Sequence, residues 1–152
     1  MIYTRELKHT DISAVKEIIT ENWSTAVATN AVNEMEEMFF TTSLWPPKYI
    51  VALDEQNKII GCAGYKSSWL MANTYEFIWI NVLKRYQYQG VGSVLTRERL
   101  KAIEKLGGNL ILVMTHTPFF FEKFGFNKTS EFDGWHLMTK KLNTVSLNYS
   151  LR

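Results

Sequence analysis

The stretch RYQYQGVGSVL, residues 85–95, sets two glycines one residue apart behind a pair of glutamines, and an apolar helical pattern follows them. The residues before it, TYEFIWINVL at 74–83, are rich in β-branched and aromatic side chains and predict a buried central strand. A strand that runs through a glycine loop into a helix presents backbone N–H groups at the positive end of the helix dipole. The stretch therefore predicts an anion site, and a plain tight turn between strand and helix is the alternative.

Two common phosphate-binding motifs do not fit this loop. The P-loop pattern GxxxxGK[ST] is absent, and a dinucleotide fingerprint would require a third glycine where Leu95 stands. Too little chain follows Gly92 for the long parallel sheet that such a fingerprint opens. A nucleotide-binding protein that prefers ATP or NAD is therefore the more distant interpretation.

Hydrophobic patterns divide the remaining sequence into short elements. Strand patterns occupy residues 2–7, 48–53, 58–69, 109–114 and 134–142. Helical patterns follow Thr10 and Asp11, cover 33–40 with Asn33 as N-cap, extend from the glycine loop to Gly107, and follow Pro118. Antiparallel pairing early in the chain and a strand–helix–strand crossover later predict an α/β fold with a mixed sheet and helices on its faces.

Composition indicates one globular domain. The chain has 152 residues, of which 46% are hydrophobic and 14% aromatic, so we predict a single domain at 1–142 and a C-terminal tail or edge strand at 143–152. A net charge of +2 without a long Lys/Arg run argues against nucleic acid as a partner. With one cysteine, no apolar leader and no window long enough to span a membrane, we expect a cytoplasmic protein without membrane contact.

Two segments together resemble the GCN5-related N-acetyltransferase (GNAT) family. Gln87-x-x-Gly90-x-Gly92 is similar to the family's Q/R-x-x-G-x-G/A pyrophosphate loop, and FFEKFGF at 120–126 is similar to its late F-Y-E-K-x-G-F segment. The predicted element order over residues 2–142 is also the family's order. The resemblance implies a mostly antiparallel central sheet with splayed parallel strands, helices on both faces, and acetyl-coenzyme A as cofactor.

The resemblance also assigns the cofactor contacts. The pyrophosphate would be bound by backbone amides of the loop, and the pantetheine arm would lie along the main chain of the central strand, opposite the strand that ends at Met114 and Thr115. Phe121, at the family's tyrosine position, is expected beside the cofactor. The complete set of cofactor-binding residues is Ile80, Asn81, Val82, Gln87, Tyr88, Gln89, Gly90, Val91, Gly92, Ser93 and Phe121.

Acetyl transfer to an amine needs a group that accepts a proton as the amine attacks the thioester. Glu76 is the candidate, because alternation places it on one strand face with Ile78, Ile80 and Val82, where burial would make a carboxylate more basic. Glu76 also occupies the position that matches the catalytic glutamate of the histone-acetylating members of the family, which this chain resembles. The alternative is a glutamate at the rim of the sheet, paired with a lysine or solvated.

The proton donor to the departing thiolate has several candidates in the sequence, because Phe121 stands where the family often has tyrosine. His116, at the end of the preceding strand, is a candidate substitute, and a structural strand-end histidine is the alternative. Water could also protonate the thiolate after it leaves. A third reading is that the chain is a non-catalytic acyl-CoA-binding or sensor protein.

The acceptor is predicted to be a primary amine of a small molecule or peptide. The region at 23–47 would cover the acceptor groove, where three glutamates could attract a cationic amine: Glu34, Glu36 and Glu37. Cys62 is interpreted as a small buried residue, and the scattered histidines do not have metal-ligand spacing, so no metal is expected. Homodimerisation, common in such domains, is a further expectation.

Overall fold

The computed structural model describes residues 1–142. The chain forms seven strands and four α-helices in the order β1 (Tyr3–Glu6), α1 (Ile12–Asn22), α2 (Thr25–Phe40), β2 (Lys48–Leu53), β3 (Ile59–Ser67), β4 (Thr74–Val82), α3 (Val91–Lys105), β5 (Leu110–Thr115), α4 (Pro118–Glu122), β6 (Asn127–Phe132) and β7 (Trp135–Lys141). Short 3₁₀ turns at His9–Asp11 and Lys84–Tyr86 precede α1 and the glycine loop.

The seven strands form one sheet in the order β1-β2-β3-β4-β5-β7-β6. The pairs β1–β2, β2–β3, β5–β7 and β6–β7 are antiparallel, whereas β4 and β5 run parallel, with Thr74 opposite Leu110 and Glu76 opposite Leu112. The sheet is therefore mixed and mostly antiparallel, which confirms the predicted fold class.

One compact unit comprises residues 1–66 and 78–100. Its core has two parts because the strands expose alternate side chains to opposite faces. Tyr49, Val51 and Leu53 of β2 join residues of α1 and α2 in one cluster, and Ile50 and Ala52 join residues of α3 in the other. Helices thus cover both faces of this part of the sheet.

The other compact unit, within the described residues, comprises 67–77 and 101–142. Ile111 and Val113 of β5 and Met138 of β7 are buried in it. Phe77, Phe121 and Phe126 pack ring against ring, with centroids 5.5–6.5 Å apart. This aromatic cluster fixes α4 and the segment that follows it.

Helix α2 is longer than predicted, and the prediction that it begins at Asn33 was wrong. The helix begins at Thr25, where the Ser24 Oγ accepts a hydrogen bond from the Val27 N–H at 3.1 Å. Its buried face is built partly from alanines, Ala28 and Ala31, which carry little hydrophobic signal in a sequence. Because its buried residues at 25–32 are small, hydrophobic periodicity did not reveal the first two turns of this helix.

Strand β6 was missed. Every residue of Asn127–Phe132 is exposed, so the alternation by which a half-buried strand is recognised is absent. Asp133 and Gly134, with φ of 50° and 78°, form the turn to β7. This Asp-Gly pair is the hairpin signal that the sequence did contain.

The other elements were predicted to within a few residues. The predicted strand at 134–142 is confirmed as β7, and Gly107 and Gly125 follow α3 and α4 with φ of 76° and 85°. The predicted tail or edge strand at 143–152 lies outside the described residues. Across residues 1–142, no helix combines the length and the apolar character needed to cross a membrane.

Candidate active site

The glycine loop connects β4 to the 15-residue helix α3 in an open conformation. Gly90 has φ of 87°, and a Cβ built on it would meet no atom within 4 Å. The Val94 N–H bonds to the Gly90 carbonyl at 3.0 Å, so the N–H groups of Val91, Gly92 and Ser93 precede the first helical hydrogen bond and have no partner in the helix. This arrangement can bind an anion close to the main chain.

The side chain of Gln87 ties the loop to the end of β4. Its Nε2 donates to the Val82 carbonyl at 3.0 Å and lies 3.3 Å from the Asn22 Oδ1 on α1. Gln89 donates to the Arg85 carbonyl at 2.9 Å, whereas Tyr88, with φ of 61°, is fully exposed. The glutamine of the loop motif is thus a structural anchor, and its own backbone N–H donates to the Lys84 carbonyl at 3.2 Å.

The last residues of β4 are held by α1. Asn81 is buried, and its Oδ1 accepts hydrogen bonds from the Asn22 Nδ2 and the Trp23 Nε1, both at 3.1 Å. The Asn22 Nδ2 also donates to the Val82 carbonyl at 3.0 Å. Asn22 was not predicted as part of the site, because nothing in the sequence distinguishes it from other polar residues at a helix end.

Strand β4 is kinked at Trp79, which has φ of 50°. A left-handed backbone is rare for a bulky residue. Ile78 packs against the cluster beneath α1 and α2, whereas Ile80 and Val82 pack against the cluster beneath α3. The prediction that alternation keeps these three residues on one face was therefore wrong, because the kink moves the later residues to the opposite face.

Two contacts hold the kink. The Trp79 indole Nε1–H donates to the Glu34 carboxylate of α2 at 2.5 Å, and the Trp79 carbonyl accepts from the Cys62 thiol at 3.3 Å. Burial raises the pKa of the Cys62 thiol to about 12, and a hydrogen bond with the Asn81 backbone lowers this pKa by a smaller amount. Cys62 is confirmed as a small buried residue, and its thiol stays protonated at neutral pH.

Glu76 lies on the part of β4 that belongs to the second compact unit. It is half-buried, it stands between the buried residues Tyr75 and Phe77, and Leu112 of β5 is its partner in the parallel ladder. Its assignment as the general base stays a prediction.

The candidates for the proton donor are also in the second unit. Phe121 is buried in the aromatic cluster with Phe77 and Phe126 and has no proton to donate. His116 is exposed, stacks on Trp135 at 3.6 Å between centroids, and approaches the Gly134 carbonyl through Nδ1 at 2.9 Å. A carbonyl can only accept, so Nδ1 carries the proton in the neutral ring.

The three glutamates of α2 differ in their surroundings. Glu34 accepts the indole hydrogen bond, and Glu36 lies 3.3 Å from the His9 Nε2. Tyr49, beneath the helix, has a buried hydroxyl for which the described part of the chain supplies no hydrogen-bond partner, and burial followed by the charges of Glu34 and Glu37 raises its pKa. In residues 1–142 there is no group of three His, Cys, Asp or Glu side chains arranged to hold a metal ion.

A family model for the acetyltransferase (GNAT) domain matches residues 46–128, which is more than half of the chain. The matched segment contains β2 to α4 and therefore the kinked strand, the glycine loop and both candidate proton-transfer residues, Glu76 and His116. No curated protein matches the chain in sequence.

Solved structures of similar fold cover nearly the whole chain. The PaiA N-acetyltransferase of Thermoplasma acidophilum, in complex with coenzyme A, has a TM-score of 0.73 at 19% identity, covering 93% of this chain and 99% of that one. A GNAT-family acetyltransferase of Staphylococcus aureus has a TM-score of 0.76 at 15% identity, covering 93% and 99%. An aminoglycoside 6'-N-acetyltransferase complexed with coenzyme A has a TM-score of 0.77 at 14% identity, covering 91% and 96%. At these identities the likeness shows the shared fold.

Proposed function

The chain belongs to the GNAT acetyltransferase family, and from that premise we propose that it transfers an acetyl group from acetyl-CoA to a primary amine. The observation that carries the proposal is the glycine loop. Gly90 combines a φ of 87° with open space where a Cβ would stand, immediately before the N–H groups that begin α3. Such a loop suits the doubly charged pyrophosphate of coenzyme A.

In this proposal the cofactor follows the main chain from the loop to β4. Backbone amides of residues 88–93 bind the pyrophosphate, since the Gln87 N–H already donates to the Lys84 carbonyl, and the pantetheine arm lies along Ile80, Asn81 and Val82. The Val82 carbonyl already accepts two hydrogen bonds, from the Asn22 Nδ2 and the Gln87 Nε2. The contacts to pantetheine would therefore come from other backbone groups of this segment. Phe121 contributes an apolar surface to the cofactor site.

The reaction would proceed by direct attack of the amine on the thioester carbonyl. Glu76 would accept the ammonium proton, either directly or through a water molecule. The C–N bond forms as the C–S bond breaks, and the coenzyme A thiolate leaves with the electron pair of the broken bond. His116 is the candidate donor to that thiolate, and water is the alternative donor.

The acceptor would approach through the region at 23–47, which contains α2. The exposed carboxylates of α2 favour a cationic amine over an acidic one. A small molecule or peptide with a free primary amine fits this description, and neither nucleic acid nor a membrane is required. We also propose a cytoplasmic location, a single domain at 1–142 and assembly as a homodimer, on the grounds given by the sequence.

A thermal unfolding experiment with acetyl-CoA, coenzyme A, ATP and NAD in separate samples tests the cofactor. Ligand at about 100 times its Kd stabilises a protein by roughly 2.7 kcal/mol, which at this chain length corresponds to several degrees in Tm. We expect a shift with acetyl-CoA and coenzyme A and none with NAD. Millimolar acetyl-CoA without a shift would refute the proposal.

A non-catalytic acyl-CoA sensor is the second candidate, and the observation that favours it is Phe121. This residue is buried among aromatic rings and cannot supply a proton. The Glu76→Gln variant separates the two functions. An enzyme should lose turnover with an amine panel while its acetyl-CoA affinity is kept, whereas a sensor has no turnover in the wild type either.

A further inference from the structure

We propose that Glu34 is a positioning residue for the acyl-CoA-binding segment of β4 and that it acts through the indole of Trp79. The inference deepens the proposed function and rests on it, because it concerns the main chain that would bind pantetheine. The geometry that supports it is a charge-assisted hydrogen bond of 2.5 Å between α2 and a residue whose backbone is left-handed.

The kink at Trp79 decides where the following residues point. Ile80 and Val82 pack beneath α3, two residues after an Ile78 that packs beneath α1 and α2. With an ordinary negative φ at Trp79, alternation would return Ile80 to the face of Ile78. The backbone groups of residues 80–82 would rotate with their side chains, so the kink is a condition for their present orientation.

A left-handed tryptophan is unfavourable by itself and persists only where its surroundings hold it. The structure supplies three restraints from three elements. Glu34 of α2 holds the indole, the Cys62 thiol of β3 holds the carbonyl, and Asn22 and Trp23 of α1 hold the side chain of Asn81 two residues later. Of these, the Glu34 contact is charged and acts on Trp79 directly, so it should contribute most to the kink.

The test is a double-mutant cycle measured as acetyl-CoA Kd by titration calorimetry. Glu34→Ala removes the acceptor, and Trp79→Phe removes the donor while keeping an aromatic ring. Each should weaken binding roughly three- to tenfold, the range for one hydrogen bond to a charged group that is partly exposed. The double variant should bind no more weakly than either single variant, because all three lack the same contact.

Two further variants distinguish positioning from charge and from general stability. Glu17→Ala removes the same charge from an exposed position on α1 that has no part in the proposed site, and it should leave the Kd unchanged. Glu34→Gln keeps an acceptor and should restore most of the affinity lost in Glu34→Ala. The amide resonance of Ile80 should shift in the same direction in Glu34→Ala and Trp79→Phe, a change that lowered stability alone would not produce.

Binding that is equal in wild type, Glu34→Ala and Trp79→Phe would overturn the inference, as would losses that multiply in the double variant. An equal loss in Glu17→Ala would also overturn it, because the effect would then follow the net charge and not the contact with Trp79. If the wild type does not bind acetyl-CoA, the proposed function fails and this inference fails with it. That outcome is distinguishable, since the wild type itself is then negative.

Discussion

Gly90 and Gly107 form a matched pair that separates backbone strain from cofactor binding. Both are exposed, both have a left-handed φ, of 87° and 76°, and neither would bring a Cβ within 4 Å of another atom. Substitution by alanine therefore causes no collision at either position, and the cost is the left-handed backbone alone, about 1–2 kcal/mol. At this chain length each variant should lose roughly 2–8 °C in Tm.

The two variants should differ in acetyl-CoA binding. Gly90→Ala forces the loop either to keep a strained φ or to turn its amides away from the pyrophosphate, so its affinity should fall about tenfold or more, the equivalent of roughly 1.4 kcal/mol. Gly107 follows the last turn of α3, in the other compact unit, and Gly107→Ala should keep the wild-type affinity. Calorimetric Kd and Tm, measured on both variants, provide the assay.

The loss of stability and the loss of acetyl-CoA affinity are tested independently. If Gly90→Ala loses stability but binds acetyl-CoA as tightly as the wild type, the loop does not hold the cofactor. If neither variant loses stability, the strain argument is wrong for both glycines. Gly90→Asn is an internal check, since asparagine tolerates a left-handed backbone better than alanine. It should recover part of the lost stability.

Three further predictions concern the framework. Gly64→Ala would place a Cβ 2.4–2.5 Å from ring carbons of the buried Tyr49, so urea denaturation should show a loss of about 1–3 kcal/mol, and an unchanged midpoint would contradict this packing. Burial of Asp11 opposes its ionisation, but hydrogen bonds from Arg5 and the Lys8 backbone outweigh burial and hold the pKa of Asp11 below its usual range. The difference in unfolding free energy between wild type and Asp11→Asn should therefore be complete above about pH 4 and decline as the pH falls below it. A difference that does not depend on pH would refute the pairing. Cys62 should resist a thiol reagent at pH 8 until the protein is unfolded, because the thiol is buried with a pKa of about 12; rapid labelling of the native protein would disprove this.

The sequence was sufficient for the parts of the fold that leave a periodic or glycine signal. The buried strand at 74–83, the glycine loop and α3 all had such signals, and the structure contains each of them. The exposed strand β6 and the alanine-rich first turns of α2 had no periodic apolar signal, and the Asp133-Gly134 turn was the only sign of β6 in the sequence. Both errors concern elements whose side chains contribute little apolar area.

The candidate site also has a part that was predictable from the sequence and a part that was not. Its main-chain part, at residues 87–93, was predictable because glycine is the residue that permits close approach to a backbone. The kink at Trp79 was not, because tryptophan is among the residues least expected at a positive φ. Period-two alternation then misassigned the face of Ile80 relative to Ile78. A local strain maintained by contacts from three other elements cannot be inferred from the pattern of its own strand.

The phenylalanine at position 121 is compatible with catalysis under the proposed function. A thiol ionises near pH 8.5 in model cysteine, so a thiolate is a far weaker base than an alkoxide and can depart before it is protonated. General acid catalysis is typically worth 10²–10⁴-fold, so its loss would slow the reaction without closing the route. His116 carries its neutral-state proton on Nδ1, directed at the Gly134 carbonyl. It would donate from Nε2 only as the imidazolium. A rate lowered about 10²-fold or more in His116→Ala would identify it as the acid, and a rate unchanged in that variant would assign the proton to water.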